Sequence, residues 1–296
     1  MTPRAQAAGP VQHLGIVGGG TMGAGICQVA LLAGARVTLV EDGQAAAVAA
    51  RGRIEAGLAA AARRTASPKD TEQYLSGLTV LPVLRIAAEL GLVIESVPED
   101  LALKQSVLKA IEAEVGPDTV LASNTSALSI SALASVLRHP ERFAGIHFFN
   151  PVPASALIEV VRGSRTSPLA VQAARGLAQQ LGKEVVEVAD SPGFATSRLG
   201  VLLGLEAIRM CEDSVASPAD IDRAIVLGYK HPIGPLRLCD LVGLDVRLAI
   251  AEDLAKRLGS RFEPPPLMRQ MVAQGLLGKK SGQGFYSWPA PATGTA

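Results

Sequence analysis

Apolar positions in the first two thirds of the chain cluster into short runs separated by stretches of helical periodicity. Residues 12–17 (Gln-His-Leu-Gly-Ile-Val) form one run and Val37–Val40 a second. Further runs at 91–95, 119–122, 143–149, 157–161 and 184–188 predict more strands. Helices are predicted from the glycine-rich turn after residue 17 to Leu32, and over 44–64, 100–114 and 168–181. Strands alternating with helices imply a parallel sheet covered on both faces. Ser67-Pro68-Lys69-Asp70 has an N-cap serine, a proline at the first helical position and an acid closing a capping box; Ser217-Pro218-Ala219-Asp220 repeats the pattern. Beyond the breaker cluster Asp190-Ser191-Pro192-Gly193 the pattern changes. There 194–215, 218–228, 240–258 and 264–276 all read as helical. The expected architecture is α/β, with a doubly wound sheet in 1–190 and a second, all-helical domain in 191–296.

Composition narrows the function. The 296 residues are 48% hydrophobic and 19% charged, which supplies ample apolar surface for packed cores. A net charge of +1 gives no electrostatic case for a nucleic-acid partner or an anionic membrane surface. Cys27, Cys211 and Cys239 are odd in number and far apart, which argues against a disulfide framework or a metal site and fits a reducing, cytoplasmic interior. The apolar stretches around Val29–Val40 and Val201–Ile208 are broken by Arg36 and Glu206, so no transmembrane span is expected. Residues 1–12 and the tail after Trp288 read as loose arms without a secretion signal.

The first strand runs directly into Gly18-Gly19-Gly20-Thr21-Met22-Gly23, then a helix, then a second strand closing on Glu41. A Gly-x-Gly-x-x-Gly turn in that setting is the fingerprint of a Rossmann-type dinucleotide site. Gly18 permits the tight turn, Gly20 lets backbone approach a pyrophosphate, and Gly23 allows close helix–sheet packing. The helix start, with Thr21 and Met22, offers unpaired N–H groups to phosphate. Glu41 is placed to accept hydrogen bonds from a ribose and to repel a 2′-phosphate, which favours NAD over NADP.

An enzyme of this kind that oxidises an alcohol needs a base, and histidine suits that work near neutral pH. Of four candidates, His13 opens a strand, while His139 and His231 precede prolines in loops. His147 closes an apolar strand ahead of Phe148-Phe149-Asn150-Pro151-Val152-Pro153, and strand carboxyl ends are where open α/β sheets bind ligands. From the residues alone, a lone histidine in an apolar run such as His147 is more often a satisfied core side chain.

The chain resembles the 3-hydroxyacyl-coenzyme A dehydrogenase family over roughly residues 12–288. The likeness is carried by Gly18–Gly23, Glu95-Ser-Val-Pro-Glu-Asp100 with Lys104, Ser123-Asn-Thr-Ser126, His147–Pro153, Glu159, Ser191-Pro-Gly-Phe194, His231-Pro-Ile-Gly-Pro235 and Gly278–Tyr286. The resemblance implies that His147 is the base, Glu159 its orienting acid and Ser126 a donor to the reacting oxygen. It further implies that Glu99, Lys104, Asn150 and Lys280 lie on the nicotinamide side of the cofactor; without it, Glu99 and Lys104 read as an exposed pair in the first turn of a helix. The implied reaction interconverts L-3-hydroxyacyl-CoA, 3-hydroxybutyryl-CoA foremost, and 3-oxoacyl-CoA. A homodimer formed largely through the helical part is also implied.

One position departs from the family pattern. Pro-Gly-Phe normally continues to an Asn-Arg pair, with the Asn touching substrate; here Phe194-Ala195-Thr196-Ser197-Arg198 puts Ser197 in its place. A carrier-protein-linked or free 3-hydroxy acid therefore stays open as substrate, as does an NAD-binding protein whose chemistry has weakened. Arg51, Arg53, Arg63 and Arg64 on the second helix are candidates for coenzyme A phosphates or for a solvated helix face.

Overall fold

A computed structural model describes residues 11–65, 70–86 and 89–289. The chain divides into two compact units, Met1–Ser191 and Pro192–Ala296. The arms before Val11 and after Pro289 lie outside the described residues, as does most of the Ser67–Asp70 helix start.

The first unit is built on one sheet of eight strands: β1 (His13–Val17), β2 (Arg36–Val40), β3 (Leu78–Leu81), β4 (Leu92–Glu95), β5 (Val120–Ser123), β6 (Phe143–Phe148), β7 (Leu157–Arg162) and β8 (Glu184–Ala189). Their order is β3-β2-β1-β4-β5-β6-β7-β8. Helices α1 (Thr21–Leu32), α2 (Gln44–Thr65), α3 (Thr71–Leu75), α4 (Leu101–Glu114), α5 (Ile130–Ala134) and α6 (Pro168–Gln180) connect them. Side-chain caps start several of these helices: Asp70 accepts from Gln73 N, Asp100 from Leu103 N, Ser129 from Ala132 N and Ser167 from Ala170 N. Leu14, Ile16, Ile26, Leu39, Ile54 and Leu58 are fully buried between sheet and helices, each contributing about 1.5–3 kcal/mol by leaving water.

The sheet is not wholly parallel. β7 pairs antiparallel with β6, and β8 then runs parallel to β7. Residues 149–156 are too few for a parallel crossover, which needs a dozen or more, so the chain turns back on itself. Strands β1, β2, β4, β5 and β6 all end at the same edge, where Val40, Val17, Glu95, Ser123 and Gly145 stand in register and β6 runs on to Phe148. The strand order reverses between β1 and β4, which opens a crevice at that edge.

The second unit holds α7 (Thr196–Glu212), α8 (Pro218–Tyr229), α9 (Pro235–Val242), α10 (Leu244–Leu258) and α11 (Pro266–Ala273). The helix expected over 240–258 is in fact two. Gly243, at φ 103°, ends α9 and starts α10, a backbone conformation that residues with a Cβ rarely adopt. Nor is the unit entirely helical, because its last segment forms isolated bridges from Gly278 to Gln283 and from Gln283 to Ser287. Fully buried Asp240 holds that segment by accepting from Phe285 N, Tyr286 N and Trp288 Nε1. Asp222 accepts from Leu236 N, Arg237 N and the Tyr286 hydroxyl. A Cβ on Gly284 would stand 2.2 Å from the Asp240 carboxylate, and one on Gly234 2.2 Å from Asp222. The His231–Pro235 and Gly278–Tyr286 motifs thus owe much of their composition to wrapping two buried acids.

Candidate active site

At the end of β1 the chain turns at Gly18, whose φ is 96° and whose N–H donates to Val40 O at 2.9 Å. A Cβ at Gly23 would lie 1.8 Å from Gly18 O, so the third glycine is required by the turn itself as much as by the sheet. A Cβ at Gly20 would meet nothing within 4 Å, which leaves backbone open to an incoming group. Two side chains brace the turn from outside. Glu41 Oε1 accepts from Gly19 N at 2.6 Å, and Arg53 donates from Nε and Nη2 to Gly19 O at 3.1 and 3.0 Å.

A cavity of about 1100 Å³ opens over this edge of the sheet. Gly18, Gly20, Thr21, Met22 and Glu41 line it at the glycine turn; Glu99, Ser126, His147 and Asn150 line it farther along. Its size is at the upper end of small-molecule sites, roughly 300–1,000 Å³. An open glycine turn at a helix start, an acid at the end of β2 and this volume fit a dinucleotide.

His147 and Glu159 face each other across the antiparallel β6–β7 ladder. Directly opposed residues share a face of the sheet. Nδ1 of His147 stands 2.8 Å from Glu159 Oε2; the His147 side chain is 8% exposed and the Glu159 side chain fully buried. The neighbouring strand ends are stitched together by Asn124, which donates to Ser96 Oγ at 3.2 Å and accepts from Phe148 N at 3.0 Å. Loop 149–156, which carries Asn150, is held by Lys183: its buried ammonium donates to Val152 O at 2.8 Å and also to Ser155 O. Burial pushes the Lys183 ammonium below its ordinary pKa.

Ser126 is positioned by Glu99. Glu99 Oε1 accepts from Thr125 Oγ1 at 2.6 Å, Ser126 N at 2.9 Å and Ser126 Oγ at 3.3 Å. Burial alone would raise the Glu99 pKa, but the Thr125 hydroxyl, the Lys104 charge and the Ser126 N–H together hold it below the ordinary carboxylate range.

Lys104 is not on the surface. It is 1% exposed, and its ammonium meets Glu95 Oε1 at 2.8 Å, Val97 O at 3.0 Å and Glu99 Oε2 at 3.3 Å. Three partners take up its three N–H donors, so Lys104 supports Glu99 from behind the cavity wall. Lys280 and Ser197 belong to the second unit; Lys280 pairs there with Asp245, and Ser197 stands in the first turn of α7. Among the arginines proposed for coenzyme A, Arg51 pairs with Glu55 at 2.8 Å and Arg53 with the glycine turn, leaving Arg63 and Arg64 exposed in the last turn of α2. Of the other histidines, His13 bonds Thr38 Oγ1 at 2.8 Å and His139 sits exposed beside Glu141.

The supports that sequence reasoning missed are Glu95, Ser123, Arg53 and Lys183. Glu95 left a signal as a lone charge closing an otherwise apolar strand, and Ser123 as the first residue of the Ser123–Ser126 motif. Among the described residues no group of three or more His, Cys, Asp or Glu side chains is placed to hold a metal ion, and no helix is long and apolar enough to cross a membrane.

A dinucleotide-binding sheet whose strand ends present a paired histidine and glutamate defines a nicotinamide-dependent oxidoreductase. Residues 13–191 match the family model for the NAD binding domain of 3-hydroxyacyl-CoA dehydrogenase, and residues 193–288 match its C-terminal domain. The chain belongs to the 3-hydroxyacyl-CoA dehydrogenase family. It is 42% identical over 282 residues to a 3-hydroxybutyryl-CoA dehydrogenase of Mycobacterium tuberculosis, covering 94% of this chain and 99% of that protein. It is 37% identical over 287 residues to the mitochondrial hydroxyacyl-coenzyme A dehydrogenase of Sus scrofa, covering 94% and 91%. The crystal structure of (S)-3-hydroxybutyryl-CoA dehydrogenase from Ralstonia eutropha superposes with a TM-score of 0.90 at 38% identity, covering 95% of this chain and all of that one.

Proposed function

We propose that this NAD-dependent enzyme interconverts L-3-hydroxyacyl-CoA, 3-hydroxybutyryl-CoA foremost, and 3-oxoacyl-CoA. The observation that carries this is that His147, paired with buried Glu159, lies on the wall of the same cavity as the glycine turn. NAD, when bound, takes up or returns the hydride. His147 removes the substrate hydroxyl proton in oxidation and returns it in reduction. With Nδ1–H donated to Glu159, the tautomer puts the lone pair on Nε2, and the carboxylate stabilises the imidazolium that forms on proton uptake. Ser126, oriented by Glu99, donates to the reacting oxygen. Arg63 and Arg64 are the candidates for the coenzyme A phosphates. A homodimer through the helical unit is supported by exposed Leu199, Leu241 and Val242; a cytoplasmic location is supported by three free cysteines.

Purified protein should consume NADH with acetoacetyl-CoA, faster than with the carrier-protein thioester or free acetoacetate. Faster turnover of either alternative would reassign the carrier. Dinucleotide binding without turnover of any 3-oxoacyl thioester would make the protein a non-catalytic NAD binder.

Ser197 supplies one hydroxyl where the family pattern has an amide. Loss of a well-placed transition-state donor costs on the order of 3 kcal/mol, or a hundredfold in rate, and water recovers part of that. Ser197→Asn is therefore expected to raise kcat with acetoacetyl-CoA, by about tenfold if half the loss is recovered. An unchanged or lower kcat would show that position 197 does not limit this enzyme.

A further inference from the structure

The cavity wall at Ser126 is backed by charges that lie behind it. Glu95 is fully buried, and its carboxylate accepts from Val97 N at 2.6 Å and Lys104 Nζ at 2.8 Å on one oxygen. Its other oxygen accepts from Ser123 Oγ at 2.6 Å. Lys104 faces Glu99 at 3.3 Å, and Glu99 closes on Thr125 and Ser126. Ser123, Glu95, Lys104, Glu99 and Thr125–Ser126 thus form a closed ring that joins the loops following β4 and β5. Glu95 and Lys104 are shut off from water, while the Glu99 side chain is 37% exposed on the cavity.

The ring holds two carboxylates and one ammonium. One carboxylate suffices to balance Lys104, so the second leaves a net charge of −1 within the wall. Such a charge acts more strongly there than it would across bulk water. An oxidised nicotinamide ring is cationic and a reduced one neutral. On the function proposed above, that ring must sit by His147, which lines the same stretch of cavity as Ser126 and Glu99.

We infer that the ring sets the cofactor's redox-state preference: Glu95 neutralises Lys104, leaves the Glu99 charge uncompensated, and so favours binding of oxidised over reduced dinucleotide. Glu95 does not line the cavity and acts through Lys104, as a positioning residue and not a catalytic one.

Glu95→Gln tests this in the full chain, without acyl substrate. The amide keeps all three partners, with its oxygen accepting from Lys104 and Val97 N and its nitrogen donating to Ser123 Oγ, which reverses the wild-type bond at that serine. It removes one charge and leaves Lys104 to neutralise Glu99. Dissociation constants for NAD+ and NADH, measured separately by titration, should show their ratio Kd(NAD+)/Kd(NADH) rising about tenfold. A merely structural role would weaken both forms by the same factor, and an unmoved ratio overturns the inference. Lys104→Gln, which removes the ammonium but keeps a hydrogen-bond donor, provides a second arm, measured beside the wild type at the same pH. There the ratio should fall, and a ratio that holds or rises overturns the inference even if Glu95→Gln does not fold. If the wild-type chain bound neither dinucleotide, the function proposed above would fail instead.

Discussion

Replacing His147 by glutamine is expected to lower kcat for acetoacetyl-CoA reduction by about 10³-fold, within the 10²–10⁴ that a positioned acid–base group supplies. Glutamine can still donate a hydrogen bond to Glu159, so the buried carboxylate keeps a partner and the β6–β7 ladder has no reason to open. What disappears is a group that can gain and lose a proton near neutral pH. The glycine turn is untouched, so NADH affinity should stay close to wild type, confining the loss to the chemical step. Glu159→Gln should act in the same direction by another route. A neutral amide can accept from or donate to Nδ1, the tautomer is no longer fixed, and no anion stabilises the imidazolium; the analogous change in a serine-protease triad costs about 10⁴. Steady-state NADH consumption together with NADH titration separates these effects. A His147→Gln variant that turned over at the wild-type rate would remove His147 from the mechanism.

Much of this site was legible in the sequence because its parts are local. The glycine turn, the acid at the end of β2 and the histidine at the end of an apolar strand each lie within one strand–loop unit, where spacing alone sets geometry. Glu159 was harder. Its pairing with His147 depends on an antiparallel return through residues 149–156, and a parallel sheet was the expectation, although that connection is too short for a crossover. α3 and α5 have five residues each, too few for helical periodicity to distinguish them from loop. The break at Gly243 was hidden because apolar spacing continues across it. Burial is the property that sequence conveyed least. Lys104 reads as an exposed first-turn lysine, yet it is almost wholly enclosed, because the partners that balance it come from β4 and from the loop after it. Arg53 likewise reads as a phosphate ligand or part of a solvated helix face, and in the fold it grips the glycine turn from α2.

Gly23→Ala should cost the protein its dinucleotide affinity while leaving the His147–Glu159 pair in place. The new methyl would begin 1.8 Å from Gly18 O, a backbone atom, where ordinary van der Waals contact starts near 3.4 Å. Neither side can yield cheaply. Gly23 lies inside α1 with Gly18 fixed by its bond to Val40 O, and the turn is held from outside by Glu41 and Arg53. Relief therefore requires α1 to shift away from the turn, which separates the helix N-terminus from the backbone groups meant to share a pyrophosphate with it. Overpacking of this kind costs about 1–3 kcal/mol of stability, so the melting temperature should fall by several degrees for a unit of this size. The binding loss should be larger than that strain suggests, because the displaced atoms are themselves the phosphate cradle: NADH dissociation constants should rise by about 10²-fold or more, the equivalent of roughly two lost hydrogen bonds to a charged group. Gly20→Ala provides the comparison. Its Cβ meets nothing in the protein, so the fold should tolerate it, and any loss of NADH affinity reports contact with the cofactor alone. If Gly23→Ala bound NADH as the wild type does, the turn would not be the phosphate site, whatever His147 does at the other end of the cavity.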